Sequence, residues 1–210
     1  MLEPEQVTLF KEAMRKQMAT YGALLSEEIL IKLAAYYELL LRWNQRLHLV
    51  APCSPEEFAS RHVLESLALL DHLPEGATVA DIGSGAGLPI IPCLVVRQDI
   101  TATLFESSQK KSVFLREALK TVNALDRANI VSKRFEESPP PKAEFITCRA
   151  LDNFSSQLDA LIRWPPKGST LLFFGGDNLL RHLSELRCDT NQFLLPGSQR
   201  RFLFEVVKAS

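Results

Sequence analysis

The sequence of 210 residues contains 46% hydrophobic and 23% charged residues and has a formal net charge of −1. A chain of this length and composition can bury a sizeable core, either as one α/β domain with an appendage or as two small domains. The near-zero charge neither favours nor excludes a nucleic-acid partner, because local basic patches rather than the total charge bind phosphates.

Cysteine spacing and the lengths of the apolar runs narrow the class of protein further. The four cysteines stand far apart and form no C-x-x-C pair, which argues against a zinc site and against a disulfide framework. The acidic start of the chain lacks the basic stretch of a secretory signal, and the longest apolar runs are too short to cross a bilayer. We therefore expect a cytoplasmic protein that has no membrane contact and no bound metal.

Residues 1–75 predict an N-terminal helical cap. Apolar residues recur there every three or four positions in three successive segments. Ser26 and Ser54 are placed as N-caps, and Pro55 suits the first helical position of the third helix. Because about 75 residues of this composition would be marginally stable alone, we expect the cap to pack on the domain that follows.

Strands alternate with helices in residues 76–210, a pattern typical of a parallel sheet. The last two strands are joined by a Pro-Gly-Ser turn, which predicts an antiparallel hairpin at the edge. The predicted fold is α/β, with a doubly wound, Rossmann-like sheet of seven strands whose last strand is antiparallel. The strands are predicted at 78–82, 101–106, 129–131, 144–148, 169–174, 192–195 and 201–207.

A glycine-rich turn after the first strand organises this second domain. Gly83, Gly85 and Gly87 stand at alternate positions, and Pro89 suits the first turn of the following helix. A strand, tight turn and helix of this kind have no side chains in the way of a flat ligand. The N–H groups at the helix start would then face that ligand.

Asp81, two residues before the first glycine, distinguishes between two cofactor classes. A dinucleotide site favours G-x-G-x-x-G, whereas the spacing here is G-x-G-x-G, and a carboxylate would repel a pyrophosphate. The same carboxylate would attract the amine and sulfonium of S-adenosylmethionine. Glu106 ends the second strand and could accept hydrogen bonds from both ribose hydroxyls. We predict S-adenosylmethionine as the cofactor; an NAD-type oxidoreductase and a purely structural glycine turn are the alternatives.

Several motifs are spread over nearly the whole chain. They are Arg42-Trp43-Asn44, Arg61-His62-Val63-Leu64-Glu65-Ser66, the glycine turn extended by Leu88-Pro89 and Ile91-Pro92, Lys110-Lys111 and Arg149-Ala150. Together they resemble the ribosomal RNA small subunit methyltransferase G family, also called glucose-inhibited division protein B. The resemblance implies a class I S-adenosylmethionine-dependent methyltransferase fold. It also implies methylation of guanine N7 in 16S rRNA, with 16S rRNA or the 30S subunit as the partner.

The resemblance assigns roles to residues at the ends of the predicted strands. Arg149, directly after the fourth strand, is the predicted catalytic residue that orients the base; a salt bridge to a helix acid is the alternative. Phe135 and Glu136 follow the third strand, and for them the alternative to a cofactor contact is an ordinary charged loop. Asp81 and Glu106 are included for the electrostatic reasons given above. The predicted cofactor residues are Asp81, Gly83, Gly85, Leu88, Glu106, Phe135, Glu136 and Arg149.

Polar and basic residues outside the cofactor turn are candidates for contact with RNA. Solvated surface is the alternative for the basic pairs, including Lys133-Arg134, and a helix-end cap is the alternative for Asn44. For Arg61 and His62 the alternative is an ion pair on the surface of the third helix, beside Glu65. The predicted RNA contacts are Asn44, Arg61, His62, Lys110, Lys111, Arg200 and Arg201.

Two segments depart from the family pattern. Leu47-His48-Leu49-Val50 stands where the family usually has an Asn-Leu-Thr run, and Phe174-Gly175-Gly176 stands where a Lys-Gly pair is usual. Both flank the presumed RNA side, so a non-catalytic RNA-binding or assembly protein that keeps the cofactor pocket is a further alternative. The residues do not define the oligomeric state, for which we expect a monomer.

Overall fold

Seven strands form a single mixed sheet in the computed structural model, which describes residues 4–149 and 154–207. The predicted strands are confirmed, with boundaries that move by one or two residues. The strands are β1 (Thr78–Ile82), β2 (Thr101–Phe105), β3 (Ala128–Val131), β4 (Phe145–Arg149), β5 (Thr170–Gly175), β6 (Thr190–Leu194) and β7 (Phe202–Val207).

The order of the strands is β3-β2-β1-β4-β5-β7-β6. The first five strands are parallel, and β7 runs antiparallel to both β5 and β6, as predicted for the last strand. The chain moves outward from β1 to β3 and then returns to place β4 on the other side of β1. The strand order therefore reverses between β1 and β4, where ligands bind in open α/β sheets.

The predicted helix starts are also confirmed. The hydroxyl of Ser26 accepts a hydrogen bond from the N–H of Ile29 at 3.3 Å, and Ser54 caps the third segment through the N–H of Glu57 at 3.2 Å. None of the helices in residues 4–149 and 154–207 is long and apolar enough to span a bilayer. The helices are α1 (Pro4–Gln17), α2 (Glu27–Leu47), α4 (Ile90–Val96), α5 (Gln109–Thr121), α6 (Phe154–Arg163) and α7 (Asp177–Glu185).

The third helical segment, α3, is irregular. It contains an α-helical turn at Pro55–Glu57, a π-helix at Phe58–Leu64, a second α-helical turn at Glu65–Leu67 and a 3-10 helix at Ala68–His72. The apolar spacing of the sequence predicts only a plain helix, because the widening of one turn leaves almost no trace in that spacing. A π-helical turn often occurs at a functional site.

One apolar core is continuous from the cap to one face of the sheet. Phe10 of α1 stacks on Tyr37 of α2 with ring centroids 4.6 Å apart, and α2 packs against α4 and α5. A separate apolar cluster joins the other face to α6 and α7. The cap therefore packs on the sheet domain; a domain boundary between residues 75 and 76 stays a prediction.

The cap also contacts the glycine turn directly. The hydroxyl of Tyr36, on α2, donates a buried hydrogen bond of 2.7 Å to the main-chain carbonyl of Ala86. Ala86 lies between the second and third glycines of the turn. A tyrosine 50 residues away in sequence therefore helps to hold the turn in place.

Replacement of Tyr36 by phenylalanine should lower the free energy of unfolding by about 1–3 kcal/mol, because the carbonyl of Ala86 would be buried without a partner. Tyr37→Phe is the matched control, since the ring of Tyr37 is also buried, at 2% exposure, and its hydroxyl has no hydrogen bond to a described residue. Urea unfolding of both variants and the parent measures the difference. Equal losses in the two variants would show that the hydrogen bond to Ala86 adds no stability.

Candidate active site

A cavity of about 670 Å³ opens at the carboxyl ends of β1, β2 and β4. This is the edge where the strand order reverses, and the volume is typical of a small-molecule or cofactor site. The cavity is bordered by the glycine turn, the ends of the strands and part of the cap. Of the eight predicted cofactor residues it is lined by Gly83, Gly85, Leu88, Glu106, Phe135, Glu136 and Arg149.

The glycine turn requires glycine for two physical reasons. Gly83, Gly85 and Gly87 all have positive φ angles, of 69°, 50° and 83°, which L side chains rarely adopt. A Cβ atom on Gly87 would lie 2.3 Å from Cδ1 of Ile91, whereas on Gly85 it would meet only a carbonyl oxygen at 3.6 Å. The turn therefore packs tightly toward α4 and leaves space on the side of Gly85.

Glu106 connects the second strand to the glycine turn. Its Oε2 accepts a hydrogen bond from the N–H of Gly85 at 2.9 Å, and its Oε1 accepts one from the N–H of Ser108 at 2.8 Å. Each carboxylate oxygen has a further lone pair that a ligand hydroxyl can use. The side chain is thus held rigidly at the cavity wall, and its predicted contact with ribose stays a prediction.

Asp81 lies beneath the turn and does not line the cavity. It is fully buried in β1, and neither carboxylate oxygen has a hydrogen-bond partner among the described residues. The hydroxyl of Ser84 donates to the main-chain carbonyl of Asp81 at 3.1 Å. Burial is the main cause that raises the pKa of Asp81 to about 7; the hydroxyl of Ser84 opposes this rise and the charge of Glu106 contributes to it. Its predicted attraction for a cationic cofactor would act from below the turn and stays a prediction.

Phe135 and Glu136 border the cavity where the chain leaves β3. They form a short 3-10 turn, Phe135–Glu137, in which the ring of Phe135 is buried and Glu136 is exposed. The Phe135 ring packs against Trp164, with centroids 5.4 Å apart. An apolar ring beside an acidic rim is compatible with the predicted cofactor contact, which stays a prediction.

Arg149 ends β4 and reaches the cap. Its guanidinium donates to the hydroxyl of Ser66 at 3.1 Å, to the main-chain carbonyl of His62 at 3.4 Å and to that of Arg61. It also lies 3.4 Å from Glu65. The ion pair with a helix acid that the sequence offered as the alternative therefore exists. Because Arg149 lines the cavity as well, its predicted role in orienting the base stays a prediction.

Arg61 forms an ion pair on the surface of α3, as the alternative for Arg61 and His62 stated, but its partner is not Glu65. Glu65 is fully buried and binds Arg201 through Oε1, at 2.5 Å from Nη2 and 2.8 Å from Nε. Arg61 pairs with Glu57 instead. Burial and the nearby arginines lower the pKa of His62 to about 4, so this side chain is neutral at physiological pH.

Comparison with known proteins identifies the family. The family model of rRNA small subunit methyltransferase G matches residues 29–206. The chain belongs to this family. Ribosomal RNA small subunit methyltransferase G of Gluconobacter oxydans is 36% identical over 168 residues, which cover 78% of this chain and 83% of that protein. The protein of the same name from Xanthomonas campestris pv. campestris is 40% identical over 147 residues, 68% of each chain.

Solved structures confirm the fold of this methyltransferase G family member. A putative S-adenosyl-L-methionine-dependent methyltransferase from Methanococcus maripaludis matches with a TM-score of 0.60 and 15% identity, over 85% of this chain and 94% of that chain. An RNA methyltransferase from Salinibacter ruber, in complex with S-adenosyl-L-homocysteine, matches with a TM-score of 0.54 and 15% identity, over 77% and 95%. The predicted class I fold and the predicted family are both confirmed.

The predicted RNA contacts are divided among several locations in this family member. His62 and Lys111 line the cavity, whereas Arg201 is bound to Glu65. The other basic candidates are exposed on the surface and line neither this cavity nor the second one described below; they are Arg61, Lys110 and Arg200. RNA contact stays a prediction for all of them.

The side chain of Asn44 has a structural role in the loop after α2, which differs from the helix-end cap that was the alternative to RNA contact. Its amide donates to the carbonyl of Val50 at 3.0 Å, and its Oδ1 accepts from the N–H of Val50 at 2.9 Å. These two bonds close the loop after α2, in which His48 has a left-handed φ of 48°. Since His48, Leu49 and Val50 line the cavity, this departure from the family pattern lies in the site itself.

Sequence reasoning missed two residues that shape the site. Tyr36 gave no signal, because a tyrosine in an apolar helix is as well explained by core packing. Glu65 stood inside a motif quoted for the resemblance, but its two arginine partners lie 84 and 136 residues away. In the described part of the chain, no group of three or more His, Cys, Asp or Glu side chains could hold a metal ion.

Asp81 should make the stability of the ligand-free protein depend on pH. Its folded-state pKa of about 7 lies above the ordinary value of 3.8, so the folded state binds the proton more tightly. The stabilisation is complete below about pH 4 and is lost as the pH rises through about 7. Asp81→Asn should remove a slope of up to about 1.4 kcal/mol per pH unit in this range.

Urea unfolding across this pH range measures the slope, and Asp126→Asn on the exposed surface is the control. The difference between Asp81→Asn and the parent should grow with pH in favour of the variant. Parallel curves for the two proteins would contradict the buried, partnerless position of Asp81.

Proposed function

We propose that this protein transfers the methyl group of S-adenosylmethionine to N7 of a guanine in 16S rRNA. The main support is the family match over residues 29–206, together with a cavity built on the glycine turn and Glu106. Action in the cytoplasm, on 16S rRNA or on the 30S subunit, and as a monomer, belongs to the same proposal. Family membership disfavours the NAD-type oxidoreductase.

The residues of the cavity fit the proposed cofactor. Gly83 and Gly85 present main chain without side chains, and the fixed carboxylate of Glu106 suits hydroxyl donors. Phe135 and Leu88 supply apolar surface. When bound, S-adenosylmethionine supplies an electrophilic methyl group, and these side chains would hold it at the carboxyl edge of the sheet.

The proposed acceptor needs orientation rather than a base. Guanine N7 has an unprotonated lone pair at neutral pH, so catalysis consists of positioning and of stabilising the positive charge that develops on the purine. The neutral imidazole of His62 adds no opposing charge at the cavity wall. Arg149 must leave N7 free, so it cannot bind O6 and N7 together in the bidentate manner of DNA-reading arginines.

A basic rim supports the proposed RNA substrate. Lys111, Lys133 and Arg134 line the cavity beside β2 and β3, and none of them has an ion pair with a described residue. Unpaired cations next to a pocket are suited to phosphates. We infer that the RNA strand enters over this rim.

The direct test is methyl transfer to unmodified small-subunit RNA and to 30S particles, followed by mapping of N7-methylguanine. The proposal expects label at one guanine of 16S rRNA, and loss of that mark in cells without this protein. Binding of both cofactor and RNA without transfer would support the non-catalytic alternative. Binding of NAD but not of S-adenosylmethionine would overturn the proposal.

Gly83→Val should lower the affinity for S-adenosylmethionine by about tenfold or more, because a β-branched residue at a φ of 69° distorts the turn. Gly168→Val is the matched control, since Gly168 has a φ of 85° in a loop that lines neither cavity. It should lose stability while keeping its affinity. Calorimetric titration of both variants measures this, and equal affinities would contradict the role of the turn.

Reversal of the rim charges should weaken RNA binding. Lys133→Glu/Arg134→Glu is expected to raise KM for RNA by about tenfold or more and to flatten its salt dependence, with a smaller effect on cofactor affinity. Lys167→Glu, in an exposed loop before β5, is the control. Kinetics at several salt concentrations test this, and a change in kcat alone would argue against a phosphate contact.

A further inference from the structure

A second cavity, of about 390 Å³, shares Arg149 with the first. It opens at the end of β5 and the start of α7, and Arg201 borders it just before β7. Phe174, Leu179 and Leu195 give it apolar walls. A ligand in this second cavity would therefore lie next to whatever occupies the first.

The main chain forms part of the wall of the second cavity. Gly175 and Gly176 line it without side chains. A Cβ atom on Gly175 would lie 2.5 Å from Cδ2 of Leu179, and one on Gly176 would lie 3.0 Å from the carbonyl oxygen of Arg200. The second departure from the family pattern thus lines the cavity with main chain, and a side chain at either glycine would collide with the protein itself.

The charges around the second cavity do not balance. Glu65 is fully buried and is the only carboxylate among the described lining residues, but it faces two arginines, Arg149 and Arg201. Burial lowers the pKa of His62, so that side chain adds no charge nearby. The remaining positive charge favours an anionic ligand.

The two arginines are bound to Glu65 unequally. Arg201 approaches Oε1 with two nitrogens, at 2.5 and 2.8 Å, whereas Arg149 lies 3.4 Å from Oε2. Arg149 makes closer contacts to neutral groups, namely the main-chain carbonyl of Arg61 and, at 3.1 Å, the hydroxyl of Ser66. Arg201 is therefore the principal partner of Glu65.

This inequality allows Arg149 to leave Glu65 and to bind another anion. A buried carboxylate without a partner is strongly unfavourable, so an arginine that alone neutralised Glu65 could not leave it. With Arg201 in place, Glu65 keeps its partner when Arg149 moves. Arg149 can then bind a new anion from a position between the two cavities.

Resting on the proposed function, we propose that the second cavity receives the purine nucleotide that accepts the methyl group. Its base lies against Leu179 and over the ring of Phe174, where the guanidinium of Arg149 stands in this structure at 5.5 Å from the ring centroid. Arg149 leaves that place as it exchanges Glu65 for the phosphate of that nucleotide. Glu65 and Arg201 are positioning residues that keep Arg149 available, and the exchange forms and breaks no covalent bond.

Arg201→Met tests this exchange, because it leaves Arg149 as the only ionic partner of Glu65 among the described residues. We expect kcat/KM for unmodified small-subunit RNA to fall by about tenfold or more, with unchanged cofactor affinity in calorimetry. Glu65→Gln/Arg201→Met removes the buried charge and should recover activity to within about threefold of the parent. Arg116→Met, a control on the exposed face of α5, should stay near the parent.

The opposite pattern would overturn the inference. If Glu65 instead held Arg149 rigidly in its working position, Glu65→Gln would be as inactive as Arg149→Ala, and Arg201→Met would stay active. Should Arg201→Met fail to fold in thermal unfolding, the double variant decides, since it has no unpaired buried carboxylate and must be active. Inactivity of the parent on RNA would refute the proposed function itself, whereas an active parent with an inactive double variant refutes only the exchange.

Discussion

The buried carboxylate of Glu65 is the interaction on which the arrangement of the site depends. A charge with no exposed surface requires cationic partners, and it obtains them from the end of β4 and from the residue before β7. These contacts hold the cap, the centre of the sheet and the terminal hairpin together at one edge. They also place Arg149 between the two cavities, where it borders both. The same ion cluster thus connects the fold to the chemistry that we propose.

The cap is part of the site rather than a separate covering. The loop after α2, closed by Asn44, lines the first cavity, and so does His62 of α3. Tyr36 holds the carbonyl of Ala86 within the glycine turn. The π-helical stretch of α3 ends at the residue before Glu65, and Arg149 reaches two main-chain carbonyls in that stretch. A change in the conformation of the cap would consequently alter the binding site of a cofactor at the turn through these contacts.

Local sequence predicted much of this structure, for reasons that are themselves local. The serine caps and the alternation of strands with helices follow from neighbours within a few residues, and so does the strand–glycine turn–helix unit. Seven of the eight predicted cofactor residues line one cavity, because the carboxyl ends of parallel strands meet at a single edge. The exception is Asp81, which is one residue before the end of β1. Its burial depends on what covers the turn, and neighbouring residues in the sequence do not encode that.

The sequence by itself determined the family, the fold class and the position of the glycine turn, since contiguous motifs and periodic patterns define each of these. Only the tertiary structure decided which groups neutralise Glu65, because its partners are separated from it by 84 and 136 residues. It also decided that Arg149 borders a second cavity, whose walls come from β5, α7 and the approach to β7. Contacts between distant segments form only when the sheet closes and the cap packs on it, and the cost of burying a charge then selects which side chains must meet.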